Sequence, residues 1–261
     1  GLGIDPDAPC PEFLPTSQFF NDVWRSEDGV VWEQVTDAAP WSPRAGLSVA
    51  AVDGWLYVLG GSQNDDSSII GPDGPQRIYY NDVWRSSDGA TWELVTESAP
   101  WEPRAGSAVT VRDGKLWLFG GEDGFVCTPL PDCEPPYFND VWLLEGVEWE
   151  LVVDSAGWSP RPGHQCEVLD GYFVCFGGFG LVENPMDMWA SLDGAAWTLL
   201  DSKVWDVRSP EEVKYDFDSL VVDTPDGEVI LTAGGDRETF DFDDPENYLR
   251  VDDDVWTFGA N

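Results

Sequence analysis

The sequence predicts an all-β protein made of four-stranded antiparallel units packed radially about a shared axis, a β-propeller, and three observations predict it. First, the segment Asn21-Asp-Val-Trp24 returns as Asn81–Trp84, Asn139–Trp142, Met186–Trp189 and Asp253–Trp256, at spacings of 60, 58, 47 and 67 residues. Second, glycine pairs recur between these segments, at Gly60-Gly61, Gly120-Gly121, Gly177-Gly178 and Gly234-Gly235. Third, no stretch sustains a 3.6-residue apolar period, so helix is expected to be almost absent. A repeat of this size has too little core to stand alone and buries its faces against copies of itself. Radial packing is the usual arrangement for four-stranded repeats.

Within each unit the elements follow in a fixed order. A second Trp follows each of the first four segments (Trp32, Trp92, Trp149, Trp197) and a third comes after it (Trp41, Trp101, Trp158, Trp205), so thirteen of the fifteen Trp belong to the repeat. In the unit at 105–153 the first strand is expected at about 106–112, then a turn at Asp113-Gly114, and the second strand at about 115–119. After a long loop the third falls at about 140–144 and the fourth at about 149–153. Asp-Gly between apolar runs signals a two-residue hairpin, because both central positions take positive φ. Complete units are expected at about 45–96, 105–153 and 162–200. A partial first unit at 1–37 carries the outer two strands, and a partial last unit at about 216–258 carries three. Residues 1–261 then form one domain. Gly1 stands 20 residues before Asn21 as Gly61 does before Asn81, so this domain is expected to be an incomplete ring or a fragment of a longer chain.

The glycine pair closing the second strand, the Trp opening the fourth and the Pro-Arg-x-Gly lead-in to the first (Pro43–Gly46, Pro103–Gly106, Pro160–Gly163) resemble Kelch repeats across nearly the whole chain. The resemblance implies a Kelch-type propeller. Such propellers serve as interaction scaffolds in many settings and as enzymes in a few, so function has to be argued from sites. The copper-radical oxidases of this kind need more than one His ligand. His164 is the only histidine here, and that activity is not carried over. The turns Ser26-Glu-Asp28-Gly29, Ser86-Ser-Asp88-Gly89 and Ser191-Leu-Asp193-Gly194, each running on to a Trp, are similar to sialidase Asp-box turns but one residue shorter. That likeness implies a glycan-binding or glycan-hydrolysing enzyme as the alternative function. The plainer reading is that Asp and Gly close a hairpin and Trp anchors the next strand.

With 50 acidic and 13 basic side chains the formal net charge is −37. That charge excludes a nucleic-acid binder, since phosphate backbones are held by clustered Lys and Arg, and leaves neutral or basic protein partners, with glycan as another ligand class. The apolar runs fall short of the roughly 18 residues that insertion into a membrane requires. No Gly-x-Ser-x-Gly nucleophile elbow occurs, and His164 at a strand start is expected to be structural. Arg44, Arg104, Arg161 and Arg208 recur once per unit alongside Asp22, Asp82, Asp140, Asp187 and Asp254. This periodicity favours structural ion pairs, Arg offering a bidentate fork, over a carboxylate clamp of three converging arginines. The acidic runs 241–244 and 252–254 offer the hard oxygen ligands that Ca²⁺ takes, against the reading of a solvated charge run. No other cofactor is expected.

Around the Asp170-Gly171 turn, Cys166 falls opposite Cys175 in a non-hydrogen-bonded pair, whose Cα spacing of about 4.5 Å suits a disulfide. Cys127 and Cys133 enclose a short loop and are expected to form a second one. Cys10 is left over, with its partner outside the chain or in competition for Cys127 or Cys133. Paired cysteines imply an oxidising compartment, hence a secreted, cell-surface or luminal protein. The loops joining second and third strands vary between units and leave the same end of the assembly, where recognition usually lives. The aromatic pairs Phe19-Phe20, Tyr79-Tyr80 and Tyr137-Phe138 recur and are expected to pack. Phe13, Leu14, Ile69, Ile70, Phe125 and Leu130 do not recur and are the candidate interface. The function expected is a non-catalytic, extracytoplasmic interaction or scaffold module that works through these loops as a component of a larger assembly.

Overall fold

A computed structural model describes residues 2–4, 17–65, 76–124, 136–180, 185–205, 214–236, 251 and 253–259. The chain divides into two compact units, Gly1–Ala105 and Gly106–Asn261. In the first, β1 (Leu2–Ile4) pairs with β2 (Ser17–Phe19), and β3 (Val23–Arg25) with β4 (Glu33–Thr36). A four-stranded antiparallel sheet follows: β5 (Ser48–Val52), β6 (Trp55–Leu59), β9 (Val83–Ser86) and β10 (Glu93–Thr96), in that spatial order. Between β6 and β9 the chain makes a separate ladder of β7 (Ser62–Asp65) and β8 (Gln76–Tyr79).

The second unit holds two more four-stranded sheets in chain order. They are β11 (Ala108–Arg112), β12 (Lys115–Glu122), β13 (Tyr137–Glu145) and β14 (Glu148–Val153), then β15 (His164–Leu169), β16 (Tyr172–Gly177), β17 (Met188–Ser191) and β18 (Thr198–Asp201). The last sheet has three strands among the described residues: β19 (Asp218–Thr224), β20 (Gly227–Ala233) and β21 (Val255–Gly259). No described residue is helical.

Local chemistry sets the first hairpin of each complete sheet. Asp53-Gly54, Asp113-Gly114 and Asp170-Gly171 all take positive φ, between 50° and 79°, and this backbone twist matches that of the strands it joins. The third and fourth strands meet at a bulge in every sheet that has both. Trp24 opposes Gln34 while Val23 opposes Thr36, which leaves Val35 as the extra residue. The same arithmetic makes Val95, Val152 and Leu200 the extra residues elsewhere. A bulge sharpens the twist and turns the outer strand. β12 and β13 run longer than expected from sequence, because Gly121 and Glu122 resume pairing with Phe138 and Tyr137 after a register shift.

The seams between neighbouring sheets are built on main chain. In the second unit the amide of the second glycine of a pair donates to the carbonyl that precedes the next sheet, Gly121 to Arg161 at 3.1 Å and Gly178 to Lys214 at 2.8 Å; within the first unit Gly61 N–H donates to Arg104 O at 2.8 Å. In the second unit Gly163 N–H donates to Gly106 O, and Asp216 N–H donates to Gly163 O, a relay across three successive sheets. A Cβ on Gly177 would lie 2.5 Å from the Phe217 ring and 2.9 Å from Lys214 O, so only glycine fits there. Apolar cores fill the rest. Ala108, Phe119 and Val141 meet Cys166, Phe173 and Cys175 in one seam, and Phe176 and Met188 meet Phe217 and Ile230 in the next. Each large side chain buried there contributes about 1.5–3 kcal/mol.

Candidate functional site

The recurring Arg and Asp side chains converge within single sheets. Arg44 is buried. Its Nη1 donates to Gly60 O at 2.9 Å and to Asp82 Oδ1 at 2.5 Å, Nη2 donates to Asp82 Oδ2 at 3.1 Å, and Nε donates to Ser42 O. Arg161 repeats the set with Gly177 O, Asp187 and Ser159. Burial alone would raise the carboxyl of Asp187, but the Arg161 guanidinium outweighs it and holds the group below the usual carboxylate range. Arg104 is buried too, its Nε donating to Glu102 O and its guanidinium 5.8 Å from the Trp101 ring. The aspartates also receive indole N–H bonds, from Trp24 to Asp22, Trp84 to Asp82, Trp142 to Asp140 and Trp256 to Asp254.

In the last sheet a different residue holds the equivalent position. Arg208 lies outside the described residues, and the position of Arg44 and Arg161 is held by Lys214, whose ammonium donates to Gly234 O and Asp254. The next lead-in residues differ as well. Asp216 stands where Gly46, Gly106 and Gly163 stand, and adopts the same positive φ, 49° against 61–66°. Lys214 stands 20 residues before Gly234, against 16 between each of Arg44, Arg104 and Arg161 and its glycine pair.

The Ser-x-Asp-Gly turns are self-contained. Asp28 Oδ1 accepts the amides of Val30 and Val31 at 2.8 Å, while Ser26 Oγ accepts that of Gly29. Asp88 and Asp193 do the same in their own turns. The amide of Val31 first, then that of Val30 and the Ser26 hydroxyl, hold the Asp28 carboxyl below its ordinary value; Thr91 and Ala90 do so for Asp88, and Ala196 and Ala195 for Asp193. The following Trp closes each turn, its indole donating to Gly29 O, Gly89 O or Gly194 O. These carboxylates are committed to backbone.

His164 is buried beside Trp158, with ring centroids 5.3 Å apart, and occupies the slot that Leu47, Ser107 and Phe217 fill in the other sheets. Burial, with Arg161 close by, pushes its pKa down to about 3, so it is neutral at pH 7. Cys166 and Cys175 face each other across β15 and β16 with Cα atoms 4.1 Å apart and are joined in a disulfide. Of the aromatic pairs, Tyr137 packs with Phe179 and through it Tyr215, and Tyr80 lies under the Arg44 guanidinium. Cys127, Cys133, Cys10 and the interface candidates Phe13, Leu14, Ile69, Ile70, Phe125 and Leu130 lie outside the described residues, as does the acidic run 241–244. Among the described residues no group of three His, Cys, Asp or Glu is placed to hold a metal ion. No helix there is long and apolar enough to cross a membrane.

No known family model matches the chain. It is 26% identical over 189 residues to Tip elongation aberrant protein 3 of Schizosaccharomyces pombe, covering 59% of this chain and 16% of that protein. It is 27% identical over 154 residues to the flagellar outer arm dynein alpha chain of Chlamydomonas reinhardtii, covering 55% of this chain and 3% of that one. The matched region thus spans less than a fifth of either curated relative. Among solved structures it is similar to YjhT, with a TM-score of 0.65 and 16% identity over 98% of this chain and 80% of that one. This likeness, with the antiparallel sheets described above, shows a β-propeller fold.

Proposed function

We propose that the chain is a non-catalytic interaction module of Kelch type, working outside the cytoplasm and binding neutral or basic protein partners through the long loops that join second and third strands. One observation carries the reading: the side chains that recur like a site are consumed by the scaffold. Arg44 and Arg161 each bind an aspartate of their own sheet, which occupies the guanidinium that a carboxylate clamp would use. The aspartates of the Ser-x-Asp-Gly turns bind amides, and the one histidine is buried and neutral. Recognition then falls to the segments that vary between repeats.

The Kelch assignment rests on the glycine pairs, the recurring Trp and the Pro-Arg-x-Gly lead-ins. The disulfide between Cys166 and Cys175 supports an oxidising compartment. With a net charge of −37, an anionic partner is disfavoured.

The test replaces 66–75 or 125–135 with short Gly-Ser linkers in the full chain and measures capture of extracellular proteins alongside the melting temperature. Loss of capture with an unchanged melting temperature is the expected result. Turnover of aryl glycosides by the purified chain, abolished by changing a single carboxylate, would establish the glycan-hydrolase alternative instead.

A further inference from the structure

Within the second unit the sheet β15–β18 is held between two seams of different chemistry. Toward β11–β14, at the rear seam, it presents His164. The ring is pressed onto β12, since a Cβ on Gly120 would meet His164 Cε1 at 2.9 Å, and its centre lies 5.3 Å from that of Trp158. Neither ring nitrogen makes a well-formed hydrogen bond. Burial keeps the imidazole uncharged; the Arg161 guanidinium adds to this, and the Arg161 carbonyl offsets it only in part. That guanidinium is itself bound to Asp187. The other charged groups along the rear seam are Arg112, which donates to Leu192 O and lies near Asp113, and Glu122 beside Tyr137.

Toward β19–β21, at the forward seam, the same sheet meets carboxylates. Asp216 lies over Gly163, its Oδ1 2.5 Å from where a Cβ on that glycine would sit. Burial raises the Asp216 carboxyl and the charge of Asp236 raises it further, while Asp236 is itself raised by burial. Among the described residues no cation answers them, because the Lys214 ammonium is taken by Asp254 and Gly234 O, and Arg161 by Asp187. Asp218, the next acid along β19, is exposed. Further down the seam Glu167 accepts the Ser219 hydroxyl at 2.6 Å, and burial raises its carboxyl against the pull of that bond. One sheet back, the corresponding residues are Gly163 for Asp216, Phe179 for Asp236, and Thr110 with Cys166 for Glu167 with Ser219.

We propose that acid moves the weak seam of this unit by one sheet: as pH falls from 7 toward 4.5, β15–β18 closes on β19–β21 and loosens from β11–β14. Protonation removes the repulsion between Asp216 and Asp236 and the cost of holding an anion against Gly163, so the closed forward seam gains. At the rear, an opened seam lets water reach His164, which then takes a proton that the closed seam refuses, so the open form gains. Gly163, which meets Asp216, and His164, which meets Gly120, are adjacent in sequence, so one strand end senses both sides. This is a parting of particular seams, distinct from the loop-mediated binding described above.

Hydrogen exchange of the full chain from pH 7 to 4.5, expressed as protection relative to each amide's intrinsic rate, reads the proposal. The forward seam is reported by Gly178 N–H, bound to Lys214 O, and Asp216 N–H, bound to Gly163 O; the rear seam by Gly121 N–H, bound to Arg161 O, and Gly163 N–H, bound to Gly106 O. Forward amides are expected to gain about 20-fold in protection and rear amides to lose about 70-fold. These are the factors that follow when opening returns a carboxyl of about 6 to 3.8 and an imidazole of about 3 to 6.5. Asp216→Asn is expected to abolish the forward gain and keep the rear loss, and His164→Phe the reverse. Asp216→Gly and His164→Leu, which borrow the residues at Gly163 and Leu47, replace a variant that fails to fold. Protection that stays level, or that moves in the same direction at both seams, means that the unit opens only as a whole and overturns the proposal. So does an opposed response that survives both substitutions.

Discussion

The guanidinium of Arg161 grips both carboxylate oxygens of Asp187, at 2.6 and 3.3 Å, across 26 residues of sequence. The Arg161 side chain is 2% exposed and that of Asp187 25%, so removing Asp187 strands a guanidinium that water barely reaches, and removing Arg161 leaves a half-buried carboxylate without its cation. Arg161→Ala and Asp187→Ala are each expected to lower the unfolding free energy by about 3–5 kcal/mol, and Arg161→Met with Asp187→Leu by less than either. Denaturant titrations of the three variants check this. Equal losses in all three would mean that packing, and not the ion pair, holds the site.

Gly177 and Gly171 both have positive φ, 70° and 78°, but their surroundings differ. A methyl group at Gly177 meets Phe217 and the Lys214 carbonyl, whereas at Gly171 nothing lies within 4 Å. Gly177→Ala is expected to cost about 2–4 kcal/mol, strain and overpacking together. Gly171→Ala carries the backbone term alone, about 1 kcal/mol. Thermal unfolding of the pair separates seam packing from turn strain.

The buried His164 makes stability depend on acid. Its folded pKa of about 3 lies below the ordinary 6.5, so between those values the unfolded chain binds the extra proton and stability falls as pH drops. The loss is expected to reach about 2–3 kcal/mol by a pH of about 4.5. His164→Phe, which borrows the residue of the equivalent slot at Phe217, removes it. Asp216 works in the opposite sense. Partly open to solvent but with its carboxylate against Gly163, it is pushed up to about 6 by burial and by Asp236. Its protonation therefore favours the folded state as pH falls through about 6 toward 3.8, and Asp216→Asn flattens that part of the curve. Unfolding free energies from pH 7 to 4 for the wild type and both variants decide between the two contributions.

The Cys166–Cys175 bridge closes a short loop in a hairpin whose register its turn already sets. Chain-entropy arguments give a stabilisation of about 2–3 kcal/mol for so short a loop. The double change to Val, the pair found at Val49 and Val58, is expected to cost that much and leave the fold intact. Adding reductant to the unfolded wild type, and comparing its refolded stability with that of the double variant, provides the measurement.

Sequence reading reached those parts of the molecule whose chemistry repeats. Asp-Gly between apolar runs located the hairpins, and counting outward from Asp170-Gly171 placed Cys166 against Cys175. Lys214 escaped because the last repeat departs from its siblings in three ways at once: Lys for Arg, Asp216 for glycine, and a hairpin four residues longer between Lys214 and Gly234 than between Arg161 and Gly177. Arg208 stands three residues after Trp205, as Arg161 does after Trp158, and that spacing from the preceding Trp is what the repeat pattern follows. The β7–β8 ladder escaped because its residues alternate in no apolar pattern; it forms where Ser62 and Tyr79 continue the pairing beyond the glycine pair.

The relay from Gly106 through Gly163 to Asp216 bears on how much sequence change the seams tolerate. Peptide groups are common to all residues, so neighbours linked through them place little demand on which side chains surround the link. Asp216 stands there where the other sheets have glycine, and the chain of bonds is kept. Blades tied in this way can change most of their side chains while their seams survive, so the same architecture can stand at 16% identity.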